Sequence, residues 1–442
     1  MTLTAHLSRA ALDRAGDHPP ATGDVSVGRS RLLGVDAARG VALFGMIAVH
    51  SLYDSDALGR PTWSFTIFGG RAAALFAVLA GVGIAFMTGR RRVRLTEGAG
   101  PVAALGIRAL AIGAIGLALG YADASLASVI LPFYAVMFVL AIPLVFLPTW
   151  LVAFTGLAVA GGGPVLRQLL LPRLPAPTYD NPAFAHLVDD PGVLLTELSI
   201  TGEFPAVIWL AYLCAGLVVG RLTLTRVAVI VGLLYTGVAL AAAAPVASWI
   251  LLNRYEGLHQ IWLTQPRSGL TEAETAELLL FGGDGRTPTS TWWWLAVDAP
   301  HTSTPLDLLG TIGSAVAVLA AMLFLGHVAR RAAAVLLVPL AAAGSMTLTL
   351  YTAHIVFINS ELDSFEPMAG YLAQVVAIVL VGTAWWATAG RGPLEGLVTL
   401  LSRGAGRLAT RPGRASRGRA GMGMYARPAP HPADRHAATW RG

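Results

Sequence analysis

Long apolar blocks of about twenty residues alternate with polar connectors from residue 35 to residue 389. Ten blocks can be drawn, at about 35–53, 70–89, 101–121, 125–147, 149–166, 204–221, 226–251, 306–326, 332–358 and 370–389. Each is close to the ~20 residues a helix needs to cross a bilayer, where backbone polar groups must bond within the segment. The pattern predicts an all-α membrane bundle of about ten transmembrane helices. The fourth and fifth blocks are parted only by Leu147, Pro148 and Thr149. The ninth is long, and Gly344 is expected to bend it. Gly113, Gly116 and Gly120 recur within the third block, a spacing that lets helix backbones approach. Two connectors, 167–204 and 252–305, are long enough to fold over the bundle; loops of that length usually serve a function. In the second, Thr271 and Glu274 have the spacing of a capping box opening a short helix.

Charge sets the orientation. Arg29, Arg31 and Arg39 precede or open the first block, and Arg90, Arg91, Arg92 and Arg94 follow the second. Arg221 and Arg226 follow the sixth, and Arg330 and Arg331 the eighth. The intervening connectors lean acidic, with Asp180, Asp189, Asp190, Glu197 and Glu203 in 167–204 and Glu361, Asp363 and Glu366 after the ninth block. Arginine excess marks cytoplasmic loops, so both termini are expected inside, with an even number of spans. Residues 1–30 are expected as a disordered cytoplasmic segment, 31–400 as the membrane domain, and 401–442 as a disordered, arginine-rich cytoplasmic tail. Residues 1–30 lack an apolar core, so the first span itself is expected to direct insertion.

Composition agrees: 55% of the 442 residues are hydrophobic and 13% charged, against about 25% charge in ordinary soluble domains. All basic side chains are arginine, and their excess reads as contact with the cytoplasmic leaflet, not with nucleic acid. Cys214, alone in an apolar run, reads as a small buried hydrophobe. Trp249, Trp292, Trp293, Trp294, Trp385 and Trp386 lie near span ends, where an indole belt is expected; a sugar-stacking platform at 292–294 is the alternative.

Ionisable groups inside spans carry the candidate chemistry, because they are costly there and face protein or water. Asp36 stands three residues before Arg39, close enough for a same-face ion pair. Arg39 and His50 are eleven residues apart, within ~20° of one helix face and ~16 Å along the axis. The plainer readings are a membrane anchor for Asp36 and Arg39, and an interfacial histidine at 50. By topology His301 and His354 share the outer depth of His50. An imidazole near neutrality can take a proton from an attacking hydroxyl or amine, and an arginine or hydroxyl can stabilise the oxyanion. His301 as a loop cap and His354 as a buried partner of Tyr351 or Thr347 remain open. The histidines show no metal-ligand spacing, and no metal is expected.

These residues also carry a resemblance. Asp36-Ala37-Ala38-Arg39-Gly40 with its apolar continuation resembles the first helix of heparan-α-glucosaminide N-acetyltransferase-like proteins and of the related YeiB-like bacterial membrane family. The Arg39–His50 spacing is similar to that in type-three membrane acyltransferases. Gly344-Ser345-Met346-Thr347-Leu348-Thr349-Leu350-Tyr351 with His354, and Gly392-Pro393-Leu394-Glu395, resemble late segments of YeiB-like proteins. The resemblance implies acyl-CoA, such as acetyl-CoA, arriving from the cytoplasm and acyl transfer to an acceptor, often a sugar. The first outer loop, Ser51–Phe68, holds no histidine, a departure from the animal enzymes.

The expected catalytic set is His50, Arg39, Asp36, His301 and His354, with His50 as base. Arg108, Arg90 and Arg91 are candidates for the CoA phosphates; snorkelling and a plain topology signal are their alternatives. Arg71, Tyr351 and Ser303 are candidates for the acceptor, with a headgroup anchor the alternative at Arg71. The expected setting is the cell membrane. Expected partners are lipids, acyl-CoA and an extracytoplasmic sugar or small molecule, with a homo-oligomer left open. A transporter or exporter of a small molecule is the competing class, and a non-catalytic membrane scaffold the third.

Overall fold

The computed structural model describes residues 33–410 apart from 284, 286 and 329–333. In chain order its helices are α1 (Leu33–Ser51), α2 (Trp63–Phe68), α3 (Arg71–Met87), α4 (Ala99–Leu119), α5 (Leu131–Ala141), α6 (Thr149–Leu170), α7 (Phe184–Asp189), α8 (Pro191–Thr196) and α9 (Ala206–Arg221). There follow α10 (Val227–Trp249), α11 (Gly257–Thr264), α12 (Glu272–Phe281), α13 (Pro305–Val328), α14 (Ala334–Gly344), α15 (Thr347–Ile358), α16 (Pro367–Thr388) and α17 (Pro393–Thr410). No strand occurs among the described residues; a single bridge pairs Ser55 with Pro61. The chain is an all-α polytopic bundle.

Every apolar block contains helix, but among the described residues fewer than ten form full spans. Seven of the described helices are long and apolar enough to cross a membrane, or nine if each of two bent pairs counts once. The segment left over is Leu131–Phe146, where a block over 125–147 was expected. Its helix starts late because residues 122–129 are held as a loop: Asn181 accepts from the Val129 amide at 2.7 Å and donates to Ala122 and Ala127 carbonyls. It ends early because Pro143, which has no N–H, opens a tighter turn over Pro143–Phe146. The ninth block breaks outright: Leu337–Gly344 and Thr347–Ile358 meet at 78°.

The arginine-rich connectors converge on one face. Arg90 donates to the Gly220 and Leu222 carbonyls, Arg92 to Phe146, and Arg221 to Leu147 and Val145. By the positive-inside rule this is the inner face. The two long connectors meet on the other. There buried Arg167 donates to the carbonyls of Ile200 and Gly285 and to Thr287 Oγ1. The roof has its own small core of Ile261, Leu278, Trp294, Val297 and Ala299. Trp294 is thus neither a belt residue nor a sugar platform, whereas Trp249 and Trp292 are exposed. The expected capping box is present, with the Thr271 amide on Glu274 Oε2 at 2.8 Å and the Glu274 amide on Thr271 Oγ1 at 3.2 Å.

α1 is the central element, in contact with α2, α3, α13, α14, α15 and α16. Lipid supplies no hydrophobic drive between helices, so close packing must hold them, and small residues allow it. A Cβ on Gly344 would stand 1.7 Å from the Asp36 carbonyl oxygen, and one on Gly40 2.1 Å from that of Leu340. Gly116 plays the same part between α4 and α5, where a Cβ would meet Pro132 at 2.6 Å.

The tail differs from expectation over 401–410. α17 continues to Thr410, burying Val398 and Ser402 and exposing Leu397, Leu400, Leu401 and Leu408, as a helix lying between protein and lipid would. The expected disordered segments at 1–30 and 411–442 lie outside the described residues, as do Arg330 and Arg331.

Candidate active site

Two polar clusters lie at opposite ends of α1. At the inner end Arg39 Nη1 is 2.8 Å from Asp36 Oδ1, the i, i+3 pair expected. Asp36 is buried while the Arg39 side chain keeps about a quarter of its surface open, 27%. Asp36 also lies in the first turn of α1, where a carboxylate suits the helix dipole. Arg108 is near enough to Arg39 and Glu395 to interact with both, and its guanidinium lies over the Phe138 ring at 5.3 Å. Glu395 accepts from the Leu348 amide at 2.6 Å, the Thr349 amide at 3.2 Å and the Thr349 hydroxyl at 2.7 Å. It thereby caps the α15 N-terminus, which the break at Gly344–Met346 leaves open inside the bundle.

At the outer end His50 and His354 meet. His50 Nδ1 is 3.0 Å from His354 Nε2, with ring planes 5° apart and centroids 5.3 Å apart. Nearly coplanar rings joined through their nitrogens make an in-plane hydrogen bond, not a π stack. His354 Nδ1 lies 2.6 Å from Gln374 Oε1, and Gln374 Nε2 donates to Ser51 Oγ at 3.2 Å. The relay starts and ends on α1, passing through α15 and α16. His354 is buried, and its partners are His50 and Gln374 rather than Tyr351 or Thr347.

His301 joins this end, close enough to His50 for the two imidazoles to interact electrostatically. Its ring lies parallel to Trp209 at 6.2 Å, meets Phe204 edge-on at 5.2 Å, and has Nδ1 3.9 Å from Glu203 Oε1. His301 and Ser303 adopt left-handed backbone angles, φ 58° and 52°. Such conformations cost of order 1–3 kcal/mol each in a non-glycine residue and collect at functional sites. Ser303 is buried, accepting from Trp209 Nε1 at 3.2 Å and donating its amide to Asp307 at 2.9 Å. Tyr351 shares a helix face with His354, and its buried hydroxyl faces the Ile130 backbone without a full hydrogen bond. All three expected histidines are therefore at the outer end, and neither Arg39 nor His50 is turned to lipid.

The remaining candidates separate. Arg71 is exposed at the outer end of α3 and donates to the Thr66 carbonyl at 2.6 Å. Arg90 is occupied by the α9 C-terminal carbonyls and the Phe86 ring face. Arg91 is exposed, with Glu97 at 3.3 Å. Sequence reasoning gave no role to Gln374, Glu203 or Glu395. An amide within an apolar span was a legible signal for Gln374, because a polar side chain there needs a protein partner. Glu203 carried none, since it precedes a span like any connector carboxylate, and Glu395 stood out only within the Gly392-Pro393-Leu394-Glu395 resemblance.

Residues 31–246 match the family model described as heparan-alpha-glucosaminide N-acetyltransferase, catalytic, a little under half of the chain. The match carries that description and not the YeiB-like label. It takes in Asp36, Arg39, His50, Arg71 and Arg108; His301, Ser303, Tyr351 and His354 lie beyond it and join the site through the fold. No curated protein matches the chain. Both ends of the first helix, one bearing Arg39 and one bearing His50, thus fall within the segment that is similar to the heparan-alpha-glucosaminide N-acetyltransferase catalytic family model.

Proposed function

We propose that this protein transfers an acyl group, such as acetyl, from acyl-CoA on the inner side to a sugar or small-molecule acceptor on the outer side of the cell membrane. The observation that carries the reading is the hydrogen bond to His354 made by His50, on the helix whose inner end presents Arg39. Arg39 and Arg108 supply fixed positive charge for the CoA phosphates. The ~16 Å rise between Arg39 and His50 sets the distance the thioester arm must cover. At the outer end His50 takes the proton of the acceptor hydroxyl or amine as its oxygen or nitrogen bonds to the acyl carbon. In this reading the Tyr351 hydroxyl, on the helix face of His354, donates to the resulting oxyanion. Collapse breaks the carbon–sulfur bond, and the CoA thiolate leaves with the proton His50 took up. His301 and Ser303 frame the acceptor side, with Arg71 at its rim for an anionic acceptor.

The test is purified protein in lipid with radiolabelled acetyl-CoA and a panel of amino sugars. Label should move to acceptor, and His50→Ala should lower the rate by at least ~10²-fold. Label retained on wild type without acceptor would signal an acyl-histidine route instead. Arg39→Gln should raise KM for acyl-CoA more than it lowers kcat. A transporter is the second reading, favoured by the 78° and 50° breaks, because broken helices form substrate sites in carriers. Movement of a solute in proteoliposomes without acyl-CoA, with no transfer, would favour it.

A further inference from the structure

An imidazole serves as a base only through a nitrogen that carries no proton. His50 has one ring nitrogen, Nδ1, committed to His354. Whether its Nε2 holds a lone pair or a proton is therefore set by which partner donates across that 3.0 Å bond. His354 in turn has both nitrogens committed, Nε2 to His50 and Nδ1 to Gln374 Oε1 at 2.6 Å. An amide oxygen only accepts, so the His354 Nδ1 must carry its proton. A neutral imidazole then has its lone pair on Nε2, which accepts from His50 Nδ1–H. The outcome is an unprotonated His50 Nε2 with no bonding partner among the described residues. In this sense the Gln374 NH2 group donates to Ser51 Oγ at 3.2 Å. Turning that amide over would reverse each bond and leave a proton on His50 Nε2.

We propose that Gln374 is a positioning residue that fixes the tautomers of His354 and His50 so that the free lone pair falls on His50 Nε2. Its kinetic consequence rests on the acyltransferase reading; the tautomers themselves do not. Gln374 touches neither donor nor acceptor in this scheme and acts through two rings. Orienting partners of this kind typically change rates by ~10–100-fold when removed.

Histidine ring-nitrogen NMR on ¹⁵N-labelled protein in lipid nanodiscs tests the assignment, with signals identified through His50→Gln and His354→Gln. In wild type both neutral rings should be protonated at Nδ1. Gln374→Met, which keeps the volume and removes the acceptor, should lose the Nδ1–H signature at His354. Its kcat should fall ~10–100-fold with KM little changed. Gln374→Glu keeps an acceptor and should retain the tautomers while His354 is neutral, but its added charge also stabilises the His354 imidazolium, in which Nε2 would donate to His50. Its ascending limb of kcat against pH should move to higher pH. An Nε2–H signal on wild-type His50, or wild-type tautomers in Gln374→Met, would overturn the proposal. Absence of any acyl transfer by wild type would remove the acyltransferase reading while the nitrogen signals still decided the tautomers.

Discussion

At the scale of single residues, the site is defined by what its side chains bond to more than by what they are. Eleven-residue spacing was enough to place Arg39 and His50 on one face, and the fold keeps both inside. That His354 would be the partner of His50 was not legible, since three positions sharing a depth say nothing about which two touch. Nor was the commitment of Arg90 to the α9 carbonyls visible in a run of four similar arginines. The carboxylate of Glu395 offers a direct test of residue-scale energetics. Glu395→Ala removes three hydrogen bonds and leaves two part-buried amides unsatisfied, which should cost on the order of 1–3 kcal/mol. A lowered midpoint of thermal unfolding in detergent would record it, and Glu395→Gln should lose less.

At the scale of elements, α14 and α15 show how one apolar block becomes two units with separate jobs. α14 lies against α1 through Gly40 and Gly344, backbone to backbone. After the break α15 carries Tyr351 and His354 toward the outer face. Length and hydropathy identify such a block without showing its break, because both halves are equally apolar; Gly344 was the only local hint. The same limit applies to Leu131–Phe146, which is shortened by a distant asparagine in the roof. Gly344→Ala would drive a methyl into the Asp36 carbonyl and should destabilise by ~1–3 kcal/mol. A small shift of α1 away from α14 would also loosen the Asp36–Arg39 end. Thermal unfolding together with KM for acyl-CoA reads both effects.

At the scale of the whole molecule, alternating loop charge was the strongest signal, because insertion reads the same charges that sequence reading does. The structure gathers the connectors on two faces as that alternation requires. Cys214 is buried, so the wild-type chain is a quiet background for thiol labelling. Glu272→Cys should react with a membrane-impermeant maleimide in intact cells, and Arg94→Cys only after the membrane is opened, both positions being exposed. The reverse pattern would invert the topology and the direction of transfer.

The cap on α15 comes from Glu395, a residue made after every helix that builds the histidine pair. While the chain is still on the ribosome, His50 is already in the membrane, but the helix bearing its partner has an unsatisfied end. That end is capped only once synthesis passes position 395, so a chain stopped earlier carries this helix without its cap. Stop codons placed just before Pro393 and just after Thr410 should thus give, respectively, an inserted but silent protein and a working one.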